Sequence, residues 1–162
     1  MKKLLALLLS FVLLLSLFGC GAAPRSEGGG QPVSVETESV PKEEHLDPDG
    51  SYTTKEDVAQ YLLQYSCLPS NFVTKKEAQA LGWNGGSLEP YAPGKCIGGD
   101  RFGNYEGLLP EADGRSYKEC DIDTLGEEKR GAKRIVFSND GLIYYTDDHY
   151  ASFTLLYGEE EP

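Results

Sequence analysis

The sequence predicts an α+β domain: helices come first, followed by five short strands in antiparallel order. Three observations carry this. Between residues 53 and 82, apolar side chains recur at helical spacing behind N-terminal capping signals. From residue 96 onward, glycine-rich turns separate short segments rich in β-branched and aromatic residues. The chain has 162 residues, 40% of them hydrophobic and 10% aromatic, which suffices for one packed core and leaves little room for a second. Helices followed by a run of strands is the signature of the α+β class rather than α/β.

The first helix is expected over 55–66. Thr53-x-x-Glu56 and Thr54-x-x-Asp57 are overlapping capping signals, and Val58, Tyr61, Leu62 and Tyr65 then follow at helical spacing. Pro69 closes that region. Thr74-Lys75-Lys76-Glu77 is a second capping box, opening a short helix through Leu81 that Gly82 terminates. The expected strands are Ile97–Phe102, Arg115–Ile122, Lys133–Ser138, Leu142–Thr146 and Ser152–Leu156. No internal repeat is visible.

Flanking segments differ in kind. Met1-Lys2-Lys3 and the apolar run Leu4–Phe18 form the n-region and h-region of an export signal over 1–19. That run is shorter than the roughly 20 apolar residues a membrane span needs. It ends in Leu17-Phe18-Gly19-Cys20, which resembles a bacterial lipobox with Cys20 as the acylated residue. An ordinary cleaved signal is the other reading, because Phe18 stands where small residues are usual. Residues 20–50 are rich in Gly, Pro and acids and hold no aromatic residue, so they read as a disordered acidic stalk. His45 within it is expected to be solvated. The domain is then 51–158, with an acidic tail at 159–162. An extracellular location, either secreted or held by lipid on the outer face of the membrane, follows from this layout.

The formal net charge is -11, from 26 acidic and 15 basic residues. A chain so acidic cannot hold nucleic acid by bulk charge, since phosphate neutralisation needs Lys and Arg. More than half of the excess, however, lies in the stalk and tail, and the domain over 51–158 carries -5. Long-range steering of a polyanion is therefore expected to be poor, and moderate salt to change binding little or to help it. Any anion site must rest on a local focus of cations.

Two such foci exist. Lys75 and Lys76 occupy the first turn of the second helix, where the macrodipole disfavours positive charge unless an anion binds there. Lys129-Arg130-x-x-Lys133-Arg134 packs four bases into six residues, and Arg130 and Arg134 could converge on one phosphate if the chain turns between them. A solvated surface is the competing reading for both. His149 is the domain's single histidine, a residue type able to give or take a proton near neutrality. Cys67, Cys96 and Cys120 show no CxxC pair or His-rich spacing, which argues against a zinc site. A Cys96–Cys120 disulfide between neighbouring strands and three unpaired thiols are both open.

Further stretches carry a resemblance. These are Leu68-Pro69-x-Asn71-Phe72-Val73-Thr74-Lys75, Glu77-Ala78-Gln79-Ala80-Leu81-Gly82-Trp83, Ala92-Pro93-Gly94-Lys95, Ile97-Gly98-Gly99-Asp100 and Asn104-x-Glu106-Gly107-x-Leu109-Pro110. They continue with Gly114-Arg115, Glu119-x-Asp121-Ile122, Arg134-Ile135, Leu142-Ile143-Tyr144 and Asp148-His149-Tyr150. In this order they resemble the barnase-like secreted bacterial ribonucleases across nearly all of 55–156. The resemblance implies N-terminal helices packed on a five-stranded antiparallel sheet. It further implies cleavage of single-stranded RNA after guanosine, through a 2′,3′-cyclic phosphate, with no cofactor and no metal. Glu119 would be the general base and His149 the general acid. Lys75, Arg130, Arg134 and Tyr150 would bind phosphate, and the loop Phe102, Gly103, Asn104, Tyr105 and Glu106 would bind guanine. Lys76 and Lys133 gain no role.

A monomer acting on single-stranded RNA, with a barstar-like intracellular protein inhibitor as its expected partner, follows from the same resemblance. Membrane contact would come only through lipidated Cys20. The chain departs from the family pattern at Tyr105, where Arg is common, and at Gly141, where an aromatic residue is usual. Its 125–129 loop is one residue longer and holds Glu127-Glu128. The competing functions are a non-catalytic RNA- or nucleotide-binding surface lipoprotein on the same fold and an acidic surface-interaction protein. Retention of both Glu119 and His149 argues against a binder, which needs no general acid.

Overall fold

Of the two overlapping capping signals, that of Thr54 begins the helical part. In the computed structural model, which describes residues 45–159, the Thr54 hydroxyl accepts the Asp57 N–H at 3.2 Å and opens α1, Lys55–Tyr65. Val58, Ala59, Tyr61 and Leu62 are the buried face of that helix. Ser66 ends it in the left-handed region, donating its N–H to the Leu62 carbonyl at 2.8 Å. The second helix, α2, Lys75–Ala80, carries both halves of its capping box on Thr74 and Glu77. The export segment, Cys20, the stalk up to residue 44 and residues 160–162 lie outside the described residues.

The sheet follows. Its strands are β1 (Phe72–Val73), β2 (Cys96–Phe102), β3 (Tyr117–Asp121), β4 (Arg134–Ser138), β5 (Ile143–Thr146) and β6 (Thr154–Tyr157), arranged spatially in chain order. The last five pair antiparallel in succession, as expected. The correction is β1, a sixth strand that pairs parallel with β2 through Phe72↔Cys96 and Val73↔Ile97. A two-residue strand is too short to show any periodicity, so composition could not announce it.

Burial alternates across the sheet as a two-residue period requires. Ile135 of β4 faces α1, joining Val58, Ala59, Leu62, Cys120, Ile122 and Ile143. Its neighbour Val136 faces the opposite side with Leu109, Tyr117, Leu142 and Tyr144, flanked by Phe102, Tyr150 and Phe153. Both β4 residues are fully buried, so truncating either to Ala would cost about 2–4 kcal/mol in lost burial and cavity formation. A smaller cluster of Ala78, Trp83, Leu88, Ala92 and Ile97 seats α2 against β2.

One irregularity positions the site. Gly98 lies opposite Cys120, but Asp100 lies opposite Glu119, so Gly99 is an extra residue in β2. Such a bulge reverses the side-chain faces beyond it. Without it, Asp100 would point with Cys120 into the α1 core; with it, Asp100 and Phe102 share the face of Glu119 and Tyr117. Gly99 has φ +95°, a conformation L side chains rarely adopt, which is why glycine serves at the bulge.

Two readings of the sequence change here. Residues 45–50, assigned to the stalk by composition, rest on α1. Gln64 accepts the Leu46 N–H at 3.0 Å, Tyr65 donates to the Leu46 carbonyl at 2.6 Å, and Tyr61 donates to the Pro48 carbonyl at 2.8 Å. His45 remains exposed but sets its ring edge-on to Tyr65. These anchors are polar groups of the helix, invisible to an apolar pattern. The cysteines settle on the unpaired alternative: Cys67 is an exposed free thiol, and Cys96 and Cys120 are buried free thiols although their strands are neighbours.

Candidate active site

A cleft of ≈ 570 Å³ opens on the face of the sheet away from α1. It is lined by Lys75 from α2, Phe102 from β2, the loop Gly103–Glu106, Glu119 from β3, Arg130, Arg134 from β4, and the loop carrying His149 and Tyr150. Every catalytic, phosphate-binding and guanine-loop position singled out in the sequence therefore borders one cavity. Two further clefts, beside Leu62, Leu63 and Phe137 and beside Leu46 and Leu156, lie against α1 and contain none of them.

Glu119 is the centre. It is 7% exposed, at the middle of β3 between the β2 and β4 ladders. Lys75 Nζ pairs with its Oε1, and the Tyr150 hydroxyl donates to its Oε2. Burial alone would raise its pKa, but hydrogen bonds from Lys75 and Tyr150 and the charges of Lys75 and Arg134 outweigh it, holding the carboxyl below its ordinary value. Tyr150 moves the opposite way: burial and the neighbouring Glu119 keep its hydroxyl protonated far above the usual range. The pair is thus a fixed donor and a fixed acceptor.

The acidic groups beside Lys75 at its helix start belong to the protein. The Lys75 backbone N–H donates to Asp100 Oδ2 at 2.8 Å, while its side chain reaches across to Glu119. Asp100 reaches that spot only because of the Gly99 bulge.

Arg130 and Arg134 converge on a third carboxylate that the sequence reading gave no role. Asp121, 1% exposed, accepts a two-point bond from Arg130, Nε–Oδ2 at 2.6 Å and Nη2–Oδ1 at 2.7 Å. Arg134 Nε lies 2.9 Å from Asp121 Oδ1. That contact is electrostatic: the Nε–H is not aimed at the oxygen, and it is a buried donor with no hydrogen-bond partner among the described residues. The remaining Arg134 donors hold the carbonyls of Arg130, Gly131 and Lys133, which fixes the turn between the two arginines. Arg130 also lies 5.8 Å from the Trp83 ring. The signal that could have found Asp121 is its place two residues after Glu119, on the same strand face.

Asp148 organises the fourth wall. It accepts from Thr146 Oγ1 at 2.8 Å, Ser152 N–H at 2.9 Å and Ser152 Oγ at 2.6 Å, while Thr146 Oγ1 accepts the Tyr150 N–H at 3.1 Å. These bonds hold two successive residues in the left-handed region, His149 at φ 58° and Tyr150 at φ 72°. Strain of this kind persists only where surrounding bonds over-determine it. The result places the exposed imidazole of His149 on the cleft rim, its ring centroid 5.0 Å from that of Tyr150.

The candidate guanine loop is split between inward and outward groups. Asn104 is buried, and its side chain both accepts the Leu109 N–H at 3.0 Å and donates to the Leu109 carbonyl at 2.9 Å. What Asn104 offers a ligand is therefore backbone. Glu106 is exposed on the cleft, with a carboxylate that accepts no hydrogen bond among the described residues. Lys76 is exposed away from this cavity, and Lys133 is paired with Asp123 at 2.7 Å, in keeping with the absence of a role for either.

Chemically, the cleft offers a buried carboxylate, an imidazole, a phenol and four cations, Lys75, Arg101, Arg130 and Arg134. Of these, Lys75 faces Glu119 while Arg130 and Arg134 face Asp121. A phosphate is the anion that suits this geometry, because guanidinium and ammonium groups approach from two walls.

Comparison with known proteins agrees with the geometry. A ribonuclease family model matches residues 55–157. A ribonuclease of Bacillus intermedius is 40% identical over 162 residues, covering 96% of this chain and 99% of its own. A ribonuclease of Heyndrickxia coagulans is 52% identical over 105 residues, 64% of this chain and 95% of its own. The guanyl-specific ribonuclease St of Saccharopolyspora erythraea is 42% identical over 57 residues, 35% of this chain and 56% of its own.

Proposed function

The chain belongs to the ribonuclease family, and on that footing we propose that it is an exported endoribonuclease that cleaves single-stranded RNA after guanosine by acid–base catalysis. The single observation that carries the reading is Glu119, a buried base held ionised by Lys75 and Tyr150, facing the same cavity as His149.

Glu119 takes the proton of the ribose 2′-hydroxyl as the 2′-oxygen attacks phosphorus. A P–O2′ bond forms, the P–O5′ bond breaks, and His149 gives its proton to the departing 5′-oxygen. The products are a 2′,3′-cyclic phosphate and a 5′-hydroxyl. In the second step the roles reverse: His149 takes a proton from water as its oxygen bonds to phosphorus, the P–O2′ bond breaks, and Glu119 returns its proton to the departing 2′-oxygen, leaving a 3′-phosphate. Charge that builds on the phosphorane oxygens is met by the positive charges of Lys75, Arg130 and Arg134. With the charge so met, the reaction needs no metal.

Guanine preference rests on Glu106. Its free carboxylate can accept from guanine N1–H and N2–H together, whereas adenine presents an acceptor at N1. Names of two relatives as guanyl-specific ribonucleases support the same preference. Export rests on the leader-like 1–19 segment. Acylation of Cys20 is the finer proposal, tested by fractionating cells that carry Cys20→Ala.

The function is tested with GpN and ApN dinucleotides in chelator. The reading predicts guanosine 2′,3′-cyclic phosphate from GpN, much slower cleavage of ApN, and loss of that difference in Glu106→Gln. Equal rates on both dinucleotides would remove the guanine assignment, and cleavage only with added metal would remove the mechanism.

A further inference from the structure

A second cavity, of ≈ 280 Å³, opens on the α1 face of the sheet, away from the catalytic cleft, and RNA cleavage makes no use of it. Leu62 and Leu63 of α1, Phe137 of β4 and Ile143 of β5 form its apolar part. Gly141 leaves it open, since a Cβ there would meet nothing within 4 Å beyond its chain neighbours. The rim is polar and includes Ser66, Ser116 and Lys118. None of these three side chains makes a hydrogen bond or ion pair among the described residues.

Strand register supplies an independent observation. Arg101, Lys118, Phe137 and Ile143 stand directly opposite one another across β2, β3, β4 and β5. Cys120, two residues from Lys118, packs in the α1 core, so this row lies on the α1 face. It begins with two cations and runs into the apolar cavity. Beyond Ile97 the β2 strand is the edge of the sheet, and Arg101 there borders the catalytic cleft as well. Like charges directly opposite in a ladder repel each other. Neither cation has a carboxylate partner among the described residues, although the domain over 51–158 carries -5.

We propose that this cavity is a binding site for a small aromatic carboxylate. The ring lies against Leu62, Leu63, Phe137 and Ile143, and the carboxylate meets Lys118, where it also relieves the repulsion from Arg101. The volume is near the lower end of the roughly 300–1,000 Å³ usual for small-ligand pockets, which suits one ring system. An apolar floor with a few free polar groups at its rim is the make-up of such a site. A protein partner would instead need a broad apolar collar, and Ser66, Ser116 and Lys118 interrupt one here.

The test is calorimetric titration with indole-3-acetate, with tryptamine, a cation on the same ring, as the control. Wild type should bind the carboxylate and not the amine. Lys118→Arg should stay within about twofold of wild type, and Lys118→Ala should weaken binding about fivefold. Lys118→Glu should reverse the preference toward tryptamine. Leu63→Ser should weaken binding too, whereas attraction by charge alone would leave it unmoved. Guanosine 3′-monophosphate should not displace the probe, and cleavage of GpN should be unchanged in the Lys118 variants, which also shows that they are folded. No binding of indole-3-acetate at millimolar concentration, equal binding of tryptamine, or K118A within twofold of wild type overturns the proposal. Displacement by the nucleotide overturns it as well, by putting the probe in the catalytic cleft. The ribonuclease reading is judged separately, by cleavage of GpN.

Discussion

Asp121 and Arg130 form a two-point ion pair at the floor of the cleft, with both oxygens of a 1% exposed carboxylate engaged at 2.6 and 2.7 Å. The same carboxylate attracts Arg134 from the other side of the turn. On the proposed reading, this carboxylate orients both arginines for the substrate phosphate.

Removing Asp121 should be costly for that reason. Asp121→Ala leaves two neighbouring guanidinium groups without their counter-charge, one of them 2% exposed. Breaking a buried pair from one side typically costs about 3–5 kcal/mol. Urea unfolding should show a loss of unfolding free energy of that size, and kcat should fall together with stability. Asp121→Asn, which keeps two hydrogen-bonding atoms, should lose less of each.

Lys75 sets the acid limit of activity. The general base must be ionised, and Glu119 is held below its ordinary value chiefly by Lys75 and Tyr150 acting against burial. Activity is then lost as pH falls through that depressed value, so the acid limb of kcat/KM should lie below the usual glutamate range. Lys75→Ala leaves burial less opposed and should move the limb to higher pH as well as lower the plateau. A pH–rate profile with an unmoved limb would show that Lys75 does not tune the base.

Asp148 links stability to pH. Bonds from Ser152 and Thr146 depress its carboxyl from 3.8 to about 2. A depressed carboxylate contributes stability that is whole above its unfolded value and drains as pH falls from about 4 toward about 2. Asp148→Asn should flatten thermal stability across that window. Because the same bonds hold His149 and Tyr150 in left-handed conformations, the variant should also lose turnover at neutral pH, where its folding is measured as intact.

Much of the fold is legible from the sequence because its determinants are local. Thr54 and Thr74 announce the two helices within three residues of themselves, and five strands are bounded by glycine turns. The two lysines at a helix start leave an anion ligand and a solvated pair both open, and in the structure Lys75 meets two carboxylates of the protein itself. The partners that complete the site are set by register instead. Asp100 reaches Lys75 only through the one-residue bulge at Gly99, and Asp121 matters only because β3 turns it to the same face as Glu119. Neither carboxylate differs in sequence from the many solvated ones. The same limit hides β1, which exists only as an addition to β2, and the anchoring of 45–50, which depends on tyrosine hydroxyls of α1.

The account turns on Glu119 as base and His149 as acid. Its most direct test is single-turnover cleavage of GpN by Glu119→Gln and His149→Gln, each verified as folded by its thermal melt. Each substitution should lower the rate of cyclic phosphate formation by about two to four orders of magnitude. Cleavage at a near-normal rate in both folded variants would contradict it.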